Sequence, residues 1–529
     1  MKKTAVYLAI LALVAFSANI WGTDIYMYDE VKNAQCAREM YLSGNYLVPY
    51  FNGELRVDKP PLHYFFMILS YQIFGFGAFG ARIFSALFGV CTVLGTYFFS
   101  KKYLGETAAL FAGAALVCSI QVATQFHMAT PDPYLITLVS LALFSYYRGY
   151  EEKKFKWYLG AYVLLAFATL AKGPVALLLP GIIVLLFLFL EGELNVKNIL
   201  SLKPVLAIVL ILLIAAPWFL AVHFATDGEW TVGFFIKHNL QRYSDPMEGH
   251  GAPFFMSLVY VITGLLPLSV LLPQSLIFAF KERKQNSFVQ LCLVTVTVFV
   301  GFFAFSGTIL PSYPAPCLPF AAALIGYFIQ QKKEAFAIKR LDIQISYWMI
   351  FLIALALPIA AYFGLKAESY LAETAYVGTY LVVFPIGAIA VLFLFYRSKI
   401  QQSLIALAIT FFIGTAVIHF IAYPKIDKIN PVAVCFPHID KQVPVVAYKQ
   451  MNPAFVIPVG APLHQFENLS ELKTFMKDEK RFYLISRKKY FDELEAVSGL
   501  KLVVSQHELF ERPEATLYEF NQLHVEAGR

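Results

Sequence analysis

The sequence predicts an all-α polytopic membrane domain followed by a small C-terminal α/β domain outside the membrane. The 529 residues are 59% hydrophobic and 15% charged, whereas a soluble domain carries about 25% charged residues. Apolar runs of membrane-spanning length recur as far as residue 422, and a less apolar region with strand-like runs follows. We therefore expect a membrane domain at 1–422 and a separate domain at 423–529.

About thirteen runs meet the hydropathy criterion for a spanning helix, which needs about 20 mostly apolar residues. They lie at 4–21, 82–100, 105–122, 133–149, 157–171, 174–190, 204–223, 256–280, 287–305, 314–330, 343–363, 376–396 and 402–422. The first run follows a basic N-terminus and has the features of a cleavable signal peptide. We interpret it as an uncleaved first helix, because the topology set by the later loops requires it.

The run 62–74 is short for a spanning helix and suits an interfacial helix better. If it does not span, every basic loop cluster, such as Lys101-Lys102, falls on the cytoplasmic side, as the positive-inside rule requires. If it spans, these clusters fall outside. The sequence therefore predicts that 22–81 is an external loop with interfacial helices and that 423–529 lies on the same side.

The C-terminal region alternates strand-like and helix-like runs. Strands are predicted at Val443–Ala447, Phe482–Ile485, Leu500–Ser505 and Ala515–Phe520. Helices are predicted near Ser470–Lys477 and Tyr490–Val497. This pattern is typical of a small α/β domain.

Carboxylates occur at two places on the predicted outer side of the membrane. Asp29 and Glu30 begin an amphipathic stretch that suits a helix lying flat on the membrane, and Asp132 precedes Pro133 at the start of a span. The apolar face of the amphipathic stretch comprises Val31, Ala34, Ala37, Met40 and Tyr41. Asp29 and Asp132 also fit helix N-caps, so both interpretations stay open. As a pair on one face they are candidates for general-base catalysis, with Glu30 as the next candidate.

Several basic residues are predicted on the outer side, against the positive-inside trend. They are Lys59, Arg82, Lys172 and Arg242. Long basic side chains at the membrane edge can simply extend to the interface. The alternative is a phosphate clamp, since Lys and Arg are the natural partners of phosphate oxygens. Several such residues on one face favour an anionic lipid headgroup.

A divalent metal ion is a weaker candidate ligand. Asp58 and Glu54 in the first external loop, together with His238 and His250 in a later one, offer oxygen and nitrogen donors. The alternative is that these loop histidines are simply solvated. No other cofactor is predicted. The segment Gly75–Gly80 matches the nucleotide-binding pattern G-x-G-x-x-G, but no predicted strand precedes it, as a nucleotide site requires. We interpret this segment as a turn.

Cysteine and charge patterns exclude other classes. The six cysteines form no C-x-x-C pair, which argues against a disulfide framework or a cysteine metal site. The net charge of +7 follows from basic cytoplasmic loops, and no Lys/Arg-rich run or zinc-finger spacing supports a nucleic-acid partner.

The order of these motifs resembles one family. The motifs are the acidic pair Asp29-Glu30, Asn52-Gly53, Asp58-Lys59-Pro60-Pro61, Arg82, Pro131-Asp132, Lys172-Gly173-Pro174, and Ser306 with Pro311, Tyr313 and Pro316. This order resembles the aminoarabinose transferase branch of the lipid-linked-sugar glycosyltransferases of GT-C fold, which includes lipid A galacturonate transferases. The protein O-mannosyltransferases are more distant relatives. The resemblance covers most of 1–420 and is strongest over 20–180.

The resemblance implies a polyprenyl-phosphate sugar as donor and an acceptor outside the cytoplasmic membrane. By motif match, Asp29 and Asp132 are the essential acids of the first and second loops. Lys59, Arg82 and Lys172 are expected near the lipid phosphate, and Tyr313 matches the late tyrosine of the Ser…Pro-x-Tyr motif. The chain departs from the family pattern at Asp58, where Glu is usual, and at Thr308, where Lys is usual.

The expected function is an integral glycosyltransferase of the inner membrane that modifies lipid A from the periplasmic side. Within the enzyme class, the alternative is glycosylation of proteins. A transporter and an envelope binding or assembly protein are alternatives from other classes. Transporters place polar groups at mid-membrane on broken helices, often in repeats, whereas the charges here gather in outer loops.

Overall fold

The computed structural model of the protein describes residues 2–244, 253–332 and 340–522. Within them the α-helices are α1 (Lys2–Phe16), α2 (Tyr28–Ser43), α3 (Leu62–Phe74), α4 (Ala78–Leu104), α5 (Glu106–Val117), α6 (Ile120–His127), α7 (Asp132–Glu152), α8 (Phe155–Lys172), α9 (Val175–Leu190), α10 (Val196–Ser201), α11 (Pro204–Ala225), α12 (Glu229–Val232), α13 (Arg242–Ser244), α14 (Met256–Thr263), α15 (Leu272–Glu282), α16 (Ser287–Ala304), α17 (Leu318–Gln331), α18 (Leu341–Ala367), α19 (Val383–Tyr396), α20 (Ile400–Val417), α21 (Tyr423–Asp427), α22 (Pro431–Cys435), α23 (Val456–Val459), α24 (Leu469–Asp478) and α25 (Phe491–Glu495). Turns of π-helix occupy Gly233–Gln241 and Ile418–Ala422, and the longest 3₁₀ segment is Ala372–Val382.

The helical part is a multi-pass membrane domain. Six helices of the described residues are long and apolar enough to cross a membrane, and the number rises to eight if each of two bent pairs is one span. The bent pairs correspond to the predicted runs 105–122 and 256–280, with bends of 62° and 120°. In the first pair, the side chain of Ser119 accepts a hydrogen bond from Val122 N and so caps a new helix. The full set of about thirteen spans stays a prediction.

Residues 22–81, which we call the first external loop after their predicted position, contain α2, α3 and a short hairpin of β1 (Tyr50–Phe51) and β2 (Glu54–Leu55). Helix α3 occupies the run 62–74, as predicted. At its end the backbone turns at Gly75, where φ is +79°, a conformation that favours glycine. The interpretation of the glycine motif as a turn into the next helix is confirmed.

The apolar face of α2 is not directed towards the membrane, contrary to the expectation for an amphipathic surface helix. Val31 and Ala37 are fully buried and share one core cluster with Ile485 and Leu517 of the C-terminal sheet. Asn33 on the same helix is buried as well. The apolar stripe was therefore correctly located, but protein covers it, because the C-terminal region folds back onto the loop.

The C-terminal sheet has five strands in the order β4-β3-β5-β7-β6. They are β3 (Val445–Tyr448), β4 (Gln465–Phe466), β5 (Arg481–Arg487), β6 (Leu500–His507) and β7 (Glu514–Asn521). Strand β3 runs parallel to β4 and β5, whereas β7 is antiparallel to β5 and β6. The four predicted strands and the two predicted helices are confirmed. Strand β4 was missed, because two residues carry no periodic pattern.

Hydrogen bonds join this sheet to the first external loop. Arg487 Nη2 donates to Tyr28 Oη at 2.7 Å, and Leu509 N donates to Tyr26 Oη at 2.9 Å. Asn52 exchanges two hydrogen bonds with the backbone of Leu463, at 3.0 and 2.6 Å. The boundary predicted at 422/423 stays a prediction, and the two parts pack against each other.

Leu517→Ala is expected to destabilise the protein, because this side chain is fully buried in the core shared by the sheet and the loop helices. Such truncations cost about 2–5 kcal/mol. Thermal unfolding of the detergent-purified protein measures the effect. Leu502→Ala is the matched control, since Leu502 on the neighbouring strand is 38% exposed. Equal unfolding temperatures for the two variants would contradict the shared core.

Candidate active site

A cavity of about 490 Å³ opens at the predicted outer ends of several helices. Its walls are the first turn of α2, the segment around Asp58, the start of α7, the turn between α8 and α9, the π-helical segment, and the segment leading to Tyr313. Eight of the residues singled out in the sequence line it: Asp29, Asp58, Lys59, Asp132, Lys172, His238, Arg242 and Tyr313. Glu30, Arg82 and Glu54 do not, and His250 lies outside the described residues.

Asp29 is the second residue of α2 and is exposed to the cavity. The N-cap position belongs to Met27, so Asp29 does not cap the helix. Burial raises the pKa of Asp29, but the positive charges of Lys59 and Arg56 outweigh this and hold the pKa below its ordinary value. Asp29 is therefore an ionised carboxylate at neutral pH, able to accept a hydrogen bond from a substrate hydroxyl.

Asp132 forms an ion pair with Lys172, at 2.5 Å from Oδ1 to Nζ. Pro131 occupies the N-cap position of α7, so Asp132 is not an N-cap either. The ammonium group of Lys172 also lies 5.1 Å from the ring centre of Tyr313. These contacts fix the positions of a carboxylate and a cation on the same wall.

Gly173 explains the Lys-Gly-Pro motif. Its φ is +79°, and an added Cβ would lie 2.5 Å from the ring of Phe234. Both the backbone and the packing therefore require glycine. The tight turn lets Lys172, the last residue of α8, line the cavity beside Pro174.

Two further cations line the cavity. Arg242 Nε donates to the Tyr313 hydroxyl at 2.8 Å. Burial lowers the pKa of Lys59, but the carboxylates of Asp29 and Asp58 raise it more, so Lys59 stays charged. Together with Lys172, these side chains provide three cations around one cavity, which suits an anion such as phosphate.

Asp58 is held by Arg56 through two hydrogen bonds, of 2.7 and 3.1 Å. Burial raises the pKa of Asp58, but Arg56 and Lys59 lower it further than that. Burial also lowers the pKa of His238, and Asp58 partly offsets this. No group of three or more potential metal ligands occurs in the described ranges, and His250 lies outside them. A metal at Asp58 and His238 stays a prediction.

Glu30 and Arg82 are paired inside the protein, away from the cavity. Arg82 donates two hydrogen bonds of 2.7 Å to the Glu30 carboxylate and others to the carbonyls of Ile20, Thr23 and Asp24. Each of its nitrogens is engaged, so this geometry leaves no donor for a lipid phosphate. The predicted phosphate contact of Arg82 and the reserve catalytic role of Glu30 do not fit this position.

Three residues that the sequence does not indicate as functional support Asp58, namely Arg56, Asn33 and Trp230. Arg56 is buried and also donates to Asn33 Oδ1 at 2.9 Å, while Trp230 donates its indole N–H to Arg56 O at 2.8 Å. Arg56 carries the same signal that identified Lys59, a basic residue in an outer loop. No local pattern indicates Asn33 or Trp230.

Residues 58–220 match the family described as dolichyl-phosphate-mannose-protein mannosyltransferase. The matched region begins at Asp58 and includes Asp132 and Lys172, so it contains a large part of the cavity wall.

The chain is also similar to whole sequences. An undecaprenyl phosphate-alpha-4-amino-4-deoxy-L-arabinose arabinosyl transferase of Pseudomonas fluorescens is 29% identical over 62% of this chain and 58% of its own length. The corresponding transferase of Edwardsiella ictaluri is 30% identical over 62% of this chain and 60% of its own. A protein of Aquifex aeolicus described as uncharacterized is 27% identical over 76% of this chain and 79% of its own. The alignments thus cover a little under two thirds of the two arabinosyl transferases.

The whole chain superposes on a solved structure. The crystal structure of ArnT from Cupriavidus metallidurans bound to undecaprenyl phosphate matches with a TM-score of 0.81, 20% identity and 97% coverage of both chains. This chain has the GT-C fold. The oligosaccharyltransferase of Archaeoglobus fulgidus matches the same GT-C architecture more loosely, with a TM-score of 0.54, 12% identity and coverage of 92% of this chain and 69% of its own. The resemblance to the aminoarabinose transferases is confirmed.

Glu30→Ala is expected to destabilise the fold strongly, because it leaves the buried guanidinium of Arg82 without its counter-charge. Breaking one side of a buried ion pair costs about 3–5 kcal/mol. Thermal unfolding in detergent measures it, with Glu151→Ala on the exposed surface of α7 as control. If Glu30→Ala unfolds at the wild-type temperature, the ion pair between Glu30 and Arg82 does not stabilise the fold around the cavity.

Proposed function

We propose that the protein is an integral membrane glycosyltransferase, which transfers a sugar from a polyprenyl-phosphate carrier to an envelope acceptor, namely lipid A. The observation that carries the proposal is one cavity that combines the open carboxylate of Asp29 with three cations, Lys59, Lys172 and Arg242. The similar arabinosyl transferases are named for undecaprenyl phosphate and an aminoarabinose, which supports this donor class and an aminoarabinose-type sugar, with a uronic acid as the alternative.

The cavity suits a lipid-linked donor because its walls differ in polarity. Leu178, Phe235 and Phe302 provide an apolar side for the first isoprene units of the carrier. The cations face the same space, where they neutralise the donor phosphate. The sugar then lies between the phosphate and Asp29.

Transfer requires one proton movement and one exchange of bonds. The acceptor hydroxyl gives its proton to the Asp29 carboxylate while its oxygen bonds to the anomeric carbon of the sugar. The bond from that carbon to the phosphate oxygen breaks, and the polyprenyl phosphate leaves with the electron pair. Lys59, Lys172 and Arg242 stabilise the charge that develops on the leaving phosphate. Asp132 keeps Lys172 in position through their ion pair.

Donor binding also makes Asp29 a better base. In the free protein, Lys59 and Arg56 hold the pKa of Asp29 low, which makes its carboxylate a weak proton acceptor. A bound phosphate anion near Lys59 counters that positive charge and raises the pKa of Asp29. Proton transfer is then favoured only when the donor is in place.

The orientation belongs to the same proposal. The membrane domain at 1–422 crosses the inner membrane about thirteen times. The loop at 22–81 and the domain at 423–529 lie in the periplasm. The basic loops support this orientation, since it places them in the cytoplasm.

Protein glycosylation is the second candidate, and the match of residues 58–220 to a protein mannosyltransferase family favours it. The two functions share the donor half of the cavity and differ in the acceptor. Mass spectrometry of lipid A and of envelope proteins, from cells with and without the protein, separates them. A mass difference on lipid A alone supports the proposal, and one on proteins alone overturns the acceptor.

Asp29→Asn is expected to lower turnover by about 10²-fold or more, since the amide cannot accept the acceptor's proton. Folding should be unaffected, because Asn has the same shape. Purified protein in detergent, without a sealed bilayer, is assayed with a polyprenyl-phosphate sugar and lipid A. Turnover in detergent also excludes a pure transporter. Near-wild-type turnover, or a raised KM at unchanged kcat, would remove the catalytic role of Asp29.

Lys59→Met is expected to lower kcat/KM for the donor by about one to two decades, the effect of a lost charged hydrogen bond. It should also move the acidic limb of the pH–rate profile to higher pH. The limb moves to higher pH because Lys59 lowers the pKa of Asp29. Without this cation, Asp29 becomes protonated at a higher pH. Lys237→Met, exposed on the π-helical segment and outside the cavity, is the control. An unshifted acidic limb would contradict the coupling.

A further inference from the structure

We infer that a second cleft, between α2, the first-loop hairpin and the C-terminal sheet, binds the phosphorylated sugar headgroup of the acceptor lipid. This inference rests on the proposed function and assigns its acceptor subsite. The cleft has a volume of about 240 Å³. We call it the headgroup cleft and define it by Tyr28, Lys32, Phe51, Glu54, Gln465 and Arg487, which line it.

The headgroup cleft adjoins the reaction cavity. Tyr28 immediately precedes Asp29 on helix α2, and Lys32 lies three residues after Asp29. Residues three apart are neighbours on a helix surface, so Lys32 lies beside Asp29. Asp29 itself lines the reaction cavity, and the charge of Lys32 is among those that lower its pKa. The first turn of α2 is therefore the wall between the two spaces, and a ligand in the cleft lies within one helical turn of the proposed base.

One cation of the headgroup cleft is available to an anionic sugar. Lys32 forms no hydrogen bond or ion pair with any described residue, so its ammonium group can bind a ligand. The charge of Arg487 is balanced by its ion pair with Glu508 at 3.1 Å, and Arg487 also donates to Tyr28 at 2.7 Å, so it shapes the cleft and Lys32 carries the attraction. Glu54 is an exposed carboxylate in the lining, and an anionic ligand is repelled by it.

The remaining lining residues suit a saccharide. Phe51 offers an apolar ring face against which a sugar ring can pack. Gln465 Nε2 donates to Lys449 O at 2.7 Å and to Glu467 Oε1 at 3.4 Å, and its carbonyl oxygen can accept from sugar hydroxyls. The reaction cavity, by contrast, has the apolar wall that a lipid carrier needs. Donor tail and acceptor headgroup thus enter from different sides of Asp29.

The test measures binding directly and does not depend on turnover. The probe is the acyl-free, bisphosphorylated glucosamine disaccharide, titrated into the purified full-length protein in detergent by calorimetry. Lys32→Gln should weaken binding by about tenfold or more, as expected for one charged hydrogen bond. Glu54→Gln should tighten it, because a repelling charge is removed. The two variants therefore shift the dissociation constant in opposite directions.

The controls separate the cleft from its surroundings. Lys473→Gln removes an exposed cation from helix α24 of the same sheet domain, outside the cleft, and should leave the dissociation constant unchanged. Inorganic phosphate and the disaccharide without phosphates should each bind at least tenfold more weakly than the full probe. Thermal unfolding of each variant confirms that folding is intact.

Unchanged binding in Lys32→Gln, or an equal loss in Lys473→Gln, would overturn the headgroup cleft. Equal affinity for inorganic phosphate would overturn its saccharide specificity. If the binding pattern holds while the wild-type protein transfers no sugar to lipid A, the cleft stands and the proposed function fails. If transfer occurs and Lys32→Gln leaves the probe affinity and the KM for lipid A unchanged, only the cleft fails.

Discussion

The buried ion pair between Glu30 and Arg82 connects the elements that carry the two carboxylates of the site. Arg82 on α4 is bonded to Glu30 and to the chain that precedes α2, and Glu30 also accepts a hydrogen bond from Ala129 N at 2.9 Å. Ala129 lies in the segment that leads to Asp132. The pair therefore fixes the first turn of α2, and with it Asp29, relative to the start of α7. Two buried charges are tolerated there because both carboxylate oxygens of Glu30 and all three guanidinium nitrogens of Arg82 are hydrogen-bonded.

The sequence was informative where a residue broke a strong rule. Basic residues predicted on the outer side break the positive-inside rule, and three of the four so identified, Lys59, Lys172 and Arg242, line one cavity. The rule detects an unusual charge but not its partner, which is why Arg82 was assigned to phosphate although it binds Glu30. The stripe on α2 was found for a similar reason and assigned to lipid, because periodicity identifies an apolar face but not what covers it.

The charges around the cavity have two separable tasks. Arg56 holds Asp58 through two hydrogen bonds. Lys59, which follows Asp58 in the sequence, has no carboxylate within 4 Å among the described residues. One cation thus maintains the loop, and its neighbour is left to face the cavity. Neighbouring residues of the same charge can therefore differ in role, and their burial and partners, not their type, decide which is which.

The contact between the first external loop and the C-terminal sheet has a consequence for how the protein is made. Tyr26 and Leu509, which share a hydrogen bond, are 483 positions apart in sequence. During synthesis, the apolar face of α2 emerges long before the strands that cover it. Contacts of such large sequence separation form slowly, and an uncovered face invites aggregation in the meantime. The apolar face of α2, and with it the wall that carries Asp29, can therefore be fully covered only after the C-terminal strands have been made.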